Sequence, residues 1–312
     1  MEKYLCCGNI MSDSVIKNNI ASPLSMGGPG FFALTGVRIF EKSCTLVTRT
    51  GANYVDDYGK WLDRHSISHR GVDVNSEKVT YGHIVFRDKN NYTADYPMGV
   101  ELVGYQMTHP EDIEKHADEN TKGIYLFHYP DITVWKLMGA AARKKRFKIM
   151  WEIMPFLSAD DLPKVQICCK NVDMFSINSK EASILYSISE EREEQIINEL
   201  MKLPVEMTLY RVGNRGAYVI TKDEVVYCKK INPKRAVDPT GCGNTSTGAA
   251  MWAHTEGYES AMVLAMANVA AGYNAAQYGA IPEITDDLMK KAYALAEKHC
   301  RRIKRRGRYT FK

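Results

Sequence analysis

The stretch AVDPTGCGNTSTGAAMW, residues 236–252, runs from a Pro-Thr turn through two glycines into the small and apolar residues of a helix. Gly241 and Gly243 bracket Cys242 immediately before that helix. Glycines let a backbone approach an anion, and a helix N-terminus points N–H groups and a positive partial charge at it. Gly241, Cys242 and Gly243 therefore read as a backbone seat for a phosphoryl group, with Asn244 and Thr245 as helix caps. A capped helix start with no ligand fits the same residues. The position also favours a thiolate at Cys242; a small side chain filling a tight turn is the preferred reading.

Outward from this stretch the chain alternates strand and helix patterns. "KYLCCGNIM" is a short buried strand ending in Gly-Asn, and "MGGPGFFALTGVRIF" a glycine turn entering a helix. From about residue 123, "GIYLFHY", "FKIMWEI", "VDMFSIN" and "EMTLYRVG" read as strands separated by helical segments. The alternation predicts an α/β fold, a doubly wound and mostly parallel sheet covered on both faces. "KVTYGHIVFRDKNNYTADY" interrupts it with a hairpin around a polar Lys-Asn-Asn turn. The expectation is a single domain, 1–312, with a small β lid contributed by roughly 10–25 and 76–98.

The 312 residues are 45% hydrophobic and 25% charged, with a formal net charge of +4, an ordinary globular composition. No apolar run approaches the roughly 18 residues of a membrane helix, and the N-terminus carries no signal-peptide pattern, so the reading is cytoplasmic with no membrane partner. Eight cysteines include the adjacent pairs Cys6/Cys7 and Cys168/Cys169 in apolar runs, with no C-x-x-C. That argues against a disulfide framework or a cysteine metal site. His65 and His69 share helical spacing but lack companions for a ligand set. The tail "RRIKRRGRYTF", with Tyr309 and Phe311, has the look of a nucleic-acid contact. Its cations also suit a helix C-terminus, and nucleic acid is disfavoured.

"GPGFFA" formally fits a dinucleotide fingerprint, but it does not follow the first strand, and Thr50 stands where a ribose-binding acid is expected. No Walker-type motif occurs. In order, "GNIMSD", "MGGPG", "SINSKEA", "RVGNRGAYV", "DPTGCGNTSTGA" and "ANVAAGYNAAQYGA" resemble the ribokinase-like (PfkB) carbohydrate kinase family over about residues 4–285. The resemblance implies a lidded doubly wound domain that uses ATP and Mg²⁺ to phosphorylate a sugar or nucleoside hydroxyl. It also implies a monovalent cation beside Asp238 and a homodimer paired through the lid. Asp13 matches the acid that binds acceptor hydroxyls, and Gly27 and Gly28 the paired glycines beside the acceptor. Asn178 and Glu181 match the N-x-x-E pair that organises magnesium and phosphates. Gly213 and Gly216 match the turn under the nucleotide, and Asn268 a residue near the adenine. Asp238 matches the first acid of D-T-x-G-x-G-D, with Gly241 to Gly243 its anion hole.

The sequence departs from that pattern at particular residues. Asn244 stands at the base position, and a neutral amide takes no proton. Glu152 in "MWEIMP", at the end of a predicted strand, is the proposed replacement base. Phe32 and Met11 stand where asparagines would contact a sugar; with Phe31 they suit a larger or aromatic acceptor, or the two phenylalanines simply pack the core. Arg211 replaces a small hydroxyl residue and reads either as a bidentate phosphate ligand or as an ion-pair partner. A catalytically silent nucleotide- and sugar-binding protein is the alternative function.

Overall fold

The computed structural model describes residues 2–86, 92–303 and 305–306. Seven strands run parallel in spatial order β12 (Met207–Arg211), β11 (Met174–Asn178), β10 (Lys148–Ile153), β9 (Gly123–His128), β1 (Tyr4–Cys7), β5 (Cys44–Gly51) and β6 (Val72–Ser76). Beyond β12 the sheet turns antiparallel through β13 (Ala217–Ile220), β14 (Val225–Cys228) and β15 (Arg305–Arg306).

The central strands read as unbroken apolar runs because both their faces are covered. In β1, Tyr4 and Cys6 belong to one core and Leu5 and Cys7 to the other. The first core lies under α1 (Pro29–Arg38), α9 (Cys242–Thr255), α10 (Ser260–Asn274) and α11 (Asp286–Cys300); the second lies under α5 (Ile132–Lys145), α6 (Leu162–Cys169), α7 (Ser179–Tyr186) and α8 (Glu193–Leu200). Cys168 and Cys169 are on α6, and both face the second core. None of the eight cysteines is in a disulfide.

Two helices that matter for the site are held backbone to backbone. A Cβ on Gly36 of α1 would lie 2.0 Å from the Thr245 carbonyl oxygen, and one on Gly248 of α9 would lie 2.4 Å from that of Ala33. The crossing therefore admits no side chain at either position. It brings the N-termini of α1 and α9 together at the carboxyl ends of the parallel strands, where doubly wound sheets bind ligands.

A second sheet is built from β2 (Met11–Lys17), β3 (Ile20–Ala21), β4 (Ser25–Gly27), β7 (Tyr81–Phe86) and β8 (Tyr92–Asp95). β7 and β8 are the antiparallel arms of the expected hairpin; its Lys-Asn-Asn turn lies outside the described residues, as do Tyr309 and Phe311 of the tail. α2 (Tyr58–Arg64) closes the core beneath α1, where Phe31 meets Tyr58 and Trp61 edge-on at 4.9 Å. The short α3 (Val100–Tyr105) and α4 (Pro110–His116) follow the hairpin and carry too few turns for a legible apolar stripe. Among the described residues no helix is long and apolar enough to cross a membrane.

Candidate active site

Gly241 opens α9 in the left-handed region, φ 75°, and a Cβ there would lie 2.3 Å from the Phe32 ring. Only glycine meets both conditions. The Cys242 N–H donates to Pro239 at 3.1 Å and the Thr245 N–H to Gly241 at 2.9 Å. Between them the Gly243 and Asn244 N–H groups have no acceptor among the described residues. They are the free first-turn donors of a helix, aimed where an anion can bind. Asn274 of α10 fixes the turn, its Nδ2 donating to the Thr240 carbonyl at 2.7 Å.

Cys242 points away from this cradle, its thiol 3.4 Å from the Ala271 carbonyl oxygen. Burial pushes its pKa up to about 12, so desolvation outweighs the helix terminus and the thiolate reading fails. Iodoacetamide at pH 8 is expected to modify Cys242 roughly a thousandfold more slowly than an ordinary thiol. Peptide mapping checks this, with the partly exposed Cys300 as internal reference; equal rates at the two positions would contradict it.

A chain of polar contacts crosses the strand ends beside the cradle. The Asn244 Nδ2 donates to the Tyr125 hydroxyl at 3.1 Å, and that hydroxyl donates to Glu152 Oε2 at 2.8 Å. Glu152 Oε1 meets Arg211 Nη1 at 2.8 Å, and Arg211 Nη2 lies 3.7 Å from Glu181 Oε2. Glu181 and Asn178 form a reciprocal capping box at the start of α7, at 2.8 and 2.9 Å. Arg211 therefore reads as an ion-pair partner, a part-buried one against the cradle: a Cβ on Gly243 would lie 2.0 Å from its Nη1. Glu152 is 2% exposed with both oxygens engaged, so it does not reach an acceptor directly as a base.

Across the Phe32 ring from the cradle, Asp13 is 6% exposed beside Gly27 and Gly28. A Cβ on Gly27 would lie 2.3 Å from its Oδ2. Burial pushes the Asp13 pKa up to about 7, against the Gly28 N–H, which lowers it; nearby Asp238 adds a smaller upward push. Phe32 is 2% exposed, wedged beneath Gly27 and Gly241. It is the floor joining the Asp13 side to the cradle and is too buried to present surface to a ligand, which corrects the expectation that it contacts substrate. Met11 is also buried. Asp238 is buried; Lys17 on β2 of the second sheet places its Nζ 3.2 Å from Asp238 Oδ1, while Oδ2 has no partner among the described residues. The cation facing Asp238 is thus the chain's own ammonium, held under the Phe86 ring at 4.9 Å.

Among the described residues no three metal-ligating side chains gather, so Glu181 and Asp238 do not form one ligand set. Glu181 alone suits a magnesium held mainly by phosphates and water. It is buried, and burial pushes its pKa up to about 7 although Arg211 and the hydrogen bonds from Asn178 lower it. Gly213, φ 59°, and Gly216, φ 125°, frame a turn after β12. Asn268 lies within α10 with its Nδ2 spent on the Leu264 carbonyl at 3.1 Å and takes no part in the polar chain. His65 bonds Trp61 and Ile284, and His69 bonds Tyr54 and Asp63; both are structural. Tyr125, Lys17 and Asn274 went unmarked in the sequence. The first sits in an apolar strand and the second in the second sheet, where no motif flags either; Asn274 lies in ANVAAGYNAAQYGA, where its spacing alone gives it no role.

Comparison with known proteins agrees with this geometry. The family described as pfkB family carbohydrate kinase matches residues 43–287. A ribokinase of Arabidopsis thaliana is 32% identical over 130 residues, 40% of this chain and only about a third, 34%, of the length of that curated relative. A putative ribokinase II from E. coli, solved with ATP and Mg²⁺, superposes with a TM-score of 0.73 at 15% identity, covering 96% of this chain and 100% of that one. Arabidopsis thaliana ribokinase with ribose and ATP gives 0.71 at 18%, covering 95% and 99%. A Burkholderia thailandensis nucleoside kinase with ADP-inosine gives 0.73 at 15%, covering 95% of each chain. At such identities the superpositions speak for the fold; the match over 43–287 speaks for descent, and the chain belongs to the pfkB family of carbohydrate kinases.

Proposed function

We propose that this chain is a cytoplasmic kinase that transfers the γ-phosphoryl group of ATP to a hydroxyl of a sugar or nucleoside. The observation that carries the reading is the pair of unaccepted N–H groups at Gly243 and Asn244, joined through Phe32 to the buried carboxylate of Asp13. An anion seat and a hydroxyl-binding acid share one floor beneath a lid. The relatives solved with ribose and with inosine support both acceptor classes, and the E. coli protein solved with ATP and Mg²⁺ supports the cofactors.

Asp13 orients the acceptor, the Gly241–Gly243 cradle holds the transferring phosphoryl group, and the Gly213–Gly216 turn borders the nucleotide. Glu181 would hold Mg²⁺, which neutralises phosphate charge when bound. No external monovalent cation is needed at Asp238 Oδ1, where Lys17 sits. As the acceptor oxygen bonds phosphorus, the bond to the ADP oxygen breaks, and the acceptor's proton passes late to an oxygen of the transferred group. A loose transition state leaves positioning and electrostatics as the main work, so an amide at position 244 is compatible with turnover. The exposed Ile20 and Leu24 of the lid would be covered in a homodimer paired through the lids.

The second reading, nucleotide binding without turnover, draws its support from Asn244 itself. ATP consumption with Mg²⁺ across a panel of sugars and nucleosides, beside calorimetric ATP binding, separates the two. Turnover with one acceptor supports the kinase. Binding with no turnover for any acceptor favours the silent protein, and absence of ATP binding defeats both.

A further inference from the structure

Tyr125 lies between Glu152, which takes its one proton, and Asn244, which donates to its oxygen. A carboxylate can only accept, so the Tyr125 hydroxyl, 2.8 Å from Glu152 Oε2, must donate there. Its oxygen then has only lone pairs to offer Asn244, 3.1 Å away, and the amide must present Nδ2. Asn244 Oδ1 is turned the other way and has no partner among the described residues. The direction of the chain is set at its far end by the Arg211 guanidinium, which can only donate and lies 2.8 Å from Glu152 Oε1. The middle of the chain is buried, with Tyr125 0% and Glu152 2% exposed, and its two ends, Asn244 and Arg211, are part-buried.

We infer that Tyr125 is a positioning residue which, charged with direction by Glu152 and Arg211, orients Asn244 so that its carbonyl oxygen faces the acceptor hydroxyl. That final role rests on the kinase reading; the wiring itself does not. It follows that Asn244 and Glu152 are coupled as a pair. A carboxylate at position 244 would face the lone pairs of a hydroxyl whose proton is already committed, leaving two carboxylates and one proton. Changing Glu152 to glutamine at the same time reverses every bond without loss. The glutamine oxygen accepts from Arg211, its NH₂ donates to the Tyr125 oxygen, and the Tyr125 proton passes to the new carboxylate. Asn244→Asp alone is therefore not a clean restoration of a catalytic base.

The test is a double-mutant cycle of Asn244→Asp and Glu152→Gln, measured by urea unfolding at pH 5 and pH 8, with and without Tyr125→Phe. At pH 8 each single variant is expected to lower the folding equilibrium constant roughly tenfold or more. The double variant should exceed the additive expectation by about tenfold. The Asn244→Asp loss should shrink at pH 5, where the introduced carboxyl keeps its proton, and the coupling should vanish in the Tyr125→Phe background. Additivity with Tyr125 present, or coupling that survives Tyr125→Phe, overturns the wiring. With an acceptor that turns over, Tyr125→Phe is expected to lower kcat by roughly 10- to 100-fold with KM for ATP unchanged; equal kcat overturns the positioning role. If no acceptor turns over, the unfolding cycle still decides the wiring, so failure of the kinase reading is seen separately.

Discussion

Arg211→Met is expected to lower the unfolding free energy by about 3–5 kcal/mol at pH 8. The guanidinium lies between two buried carboxylates, 2.8 Å from Glu152 and 3.7 Å from Glu181. A methionine fills the space yet leaves like charges facing each other without a counter-ion. The loss depends on pH, and its sign follows from Glu181. Burial raises its folded pKa to about 7 although Arg211 lowers it, so removing the cation raises it further. A carboxyl whose folded pKa exceeds its unfolded value, about 4.3, costs nothing below that value and progressively more as pH climbs through the folded one. Urea unfolding at pH 5 should show a clearly smaller loss than at pH 8. Arg211→Lys should recover only part, since one ammonium cannot span both carboxylates as the planar fork does. A loss below about 1 kcal/mol, equal at both pH values, would mean the pairs carry little net energy.

How far this site could be read in advance depended on what each residue's role required of its neighbours in sequence. Strands buried on both faces announce themselves as apolar runs, so the parallel sheet and the hairpin were legible. Turns that need glycine were legible too: Gly241 and Gly28 have positive φ and a crowded Cβ position. Side chains whose meaning comes from distant partners were not. Tyr125 is an ordinary strand tyrosine until β9, β10 and α9 bring it between Glu152 and Asn244. Phe32 stands where the resemblance puts a substrate-binding asparagine, which suggested contact, but helix geometry turns its ring under Gly27 and Gly241. Cys242 shows the same limit in electrostatics: its place at a helix terminus is visible in the sequence, whereas the burial that outweighs it is not.

The network also recasts what Asn244 means. Seen alone, an asparagine at a base position suggests decay. Seen with Glu152 and Arg211, it is the residue the local hydrogen-bond direction demands, because a donor is needed against the Tyr125 oxygen. The carboxylate has not vanished from the neighbourhood; it stands one hydroxyl away, where Arg211 neutralises it. On the kinase reading we propose, the chemistry would rest on orientation and on the cradle rather than on a strong base, in keeping with a transition state that asks little of one.

Asp13→Asn is expected to make the protein more stable and far less active. Asp13 is buried, and desolvation lifts its pKa to about 7, with Asp238 contributing and the Gly28 N–H opposing. Its unfolded value is about 3.9, so the folded state prefers the proton. This group's cost to stability is absent below about pH 4, grows as pH rises through the folded value, and is complete near pH 8. Three units at roughly 1.4 kcal/mol each give an upper bound of about 4 kcal/mol. Asparagine does not titrate, so Asp13→Asn should gain up to that amount at pH 8 and nothing at pH 4. Lys17 is engaged with Asp238, and Tyr58 bonds Gly27 rather than Asp13, so neither discharges the carboxylate. The same ionisation serves function: only the carboxylate accepts a hydrogen bond from an acceptor hydroxyl with both oxygens. For the natural protein kcat/KM toward the acceptor should rise with pH through about 7. In Asp13→Asn it should lie about 10²–10³-fold lower and lose that limb. Glu181 titrates in the same range, but on the nucleotide side, so its effect belongs in KM for ATP with magnesium. A variant that kept both full activity and the acceptor-side limb would remove Asp13 from the acceptor site, whatever its stability.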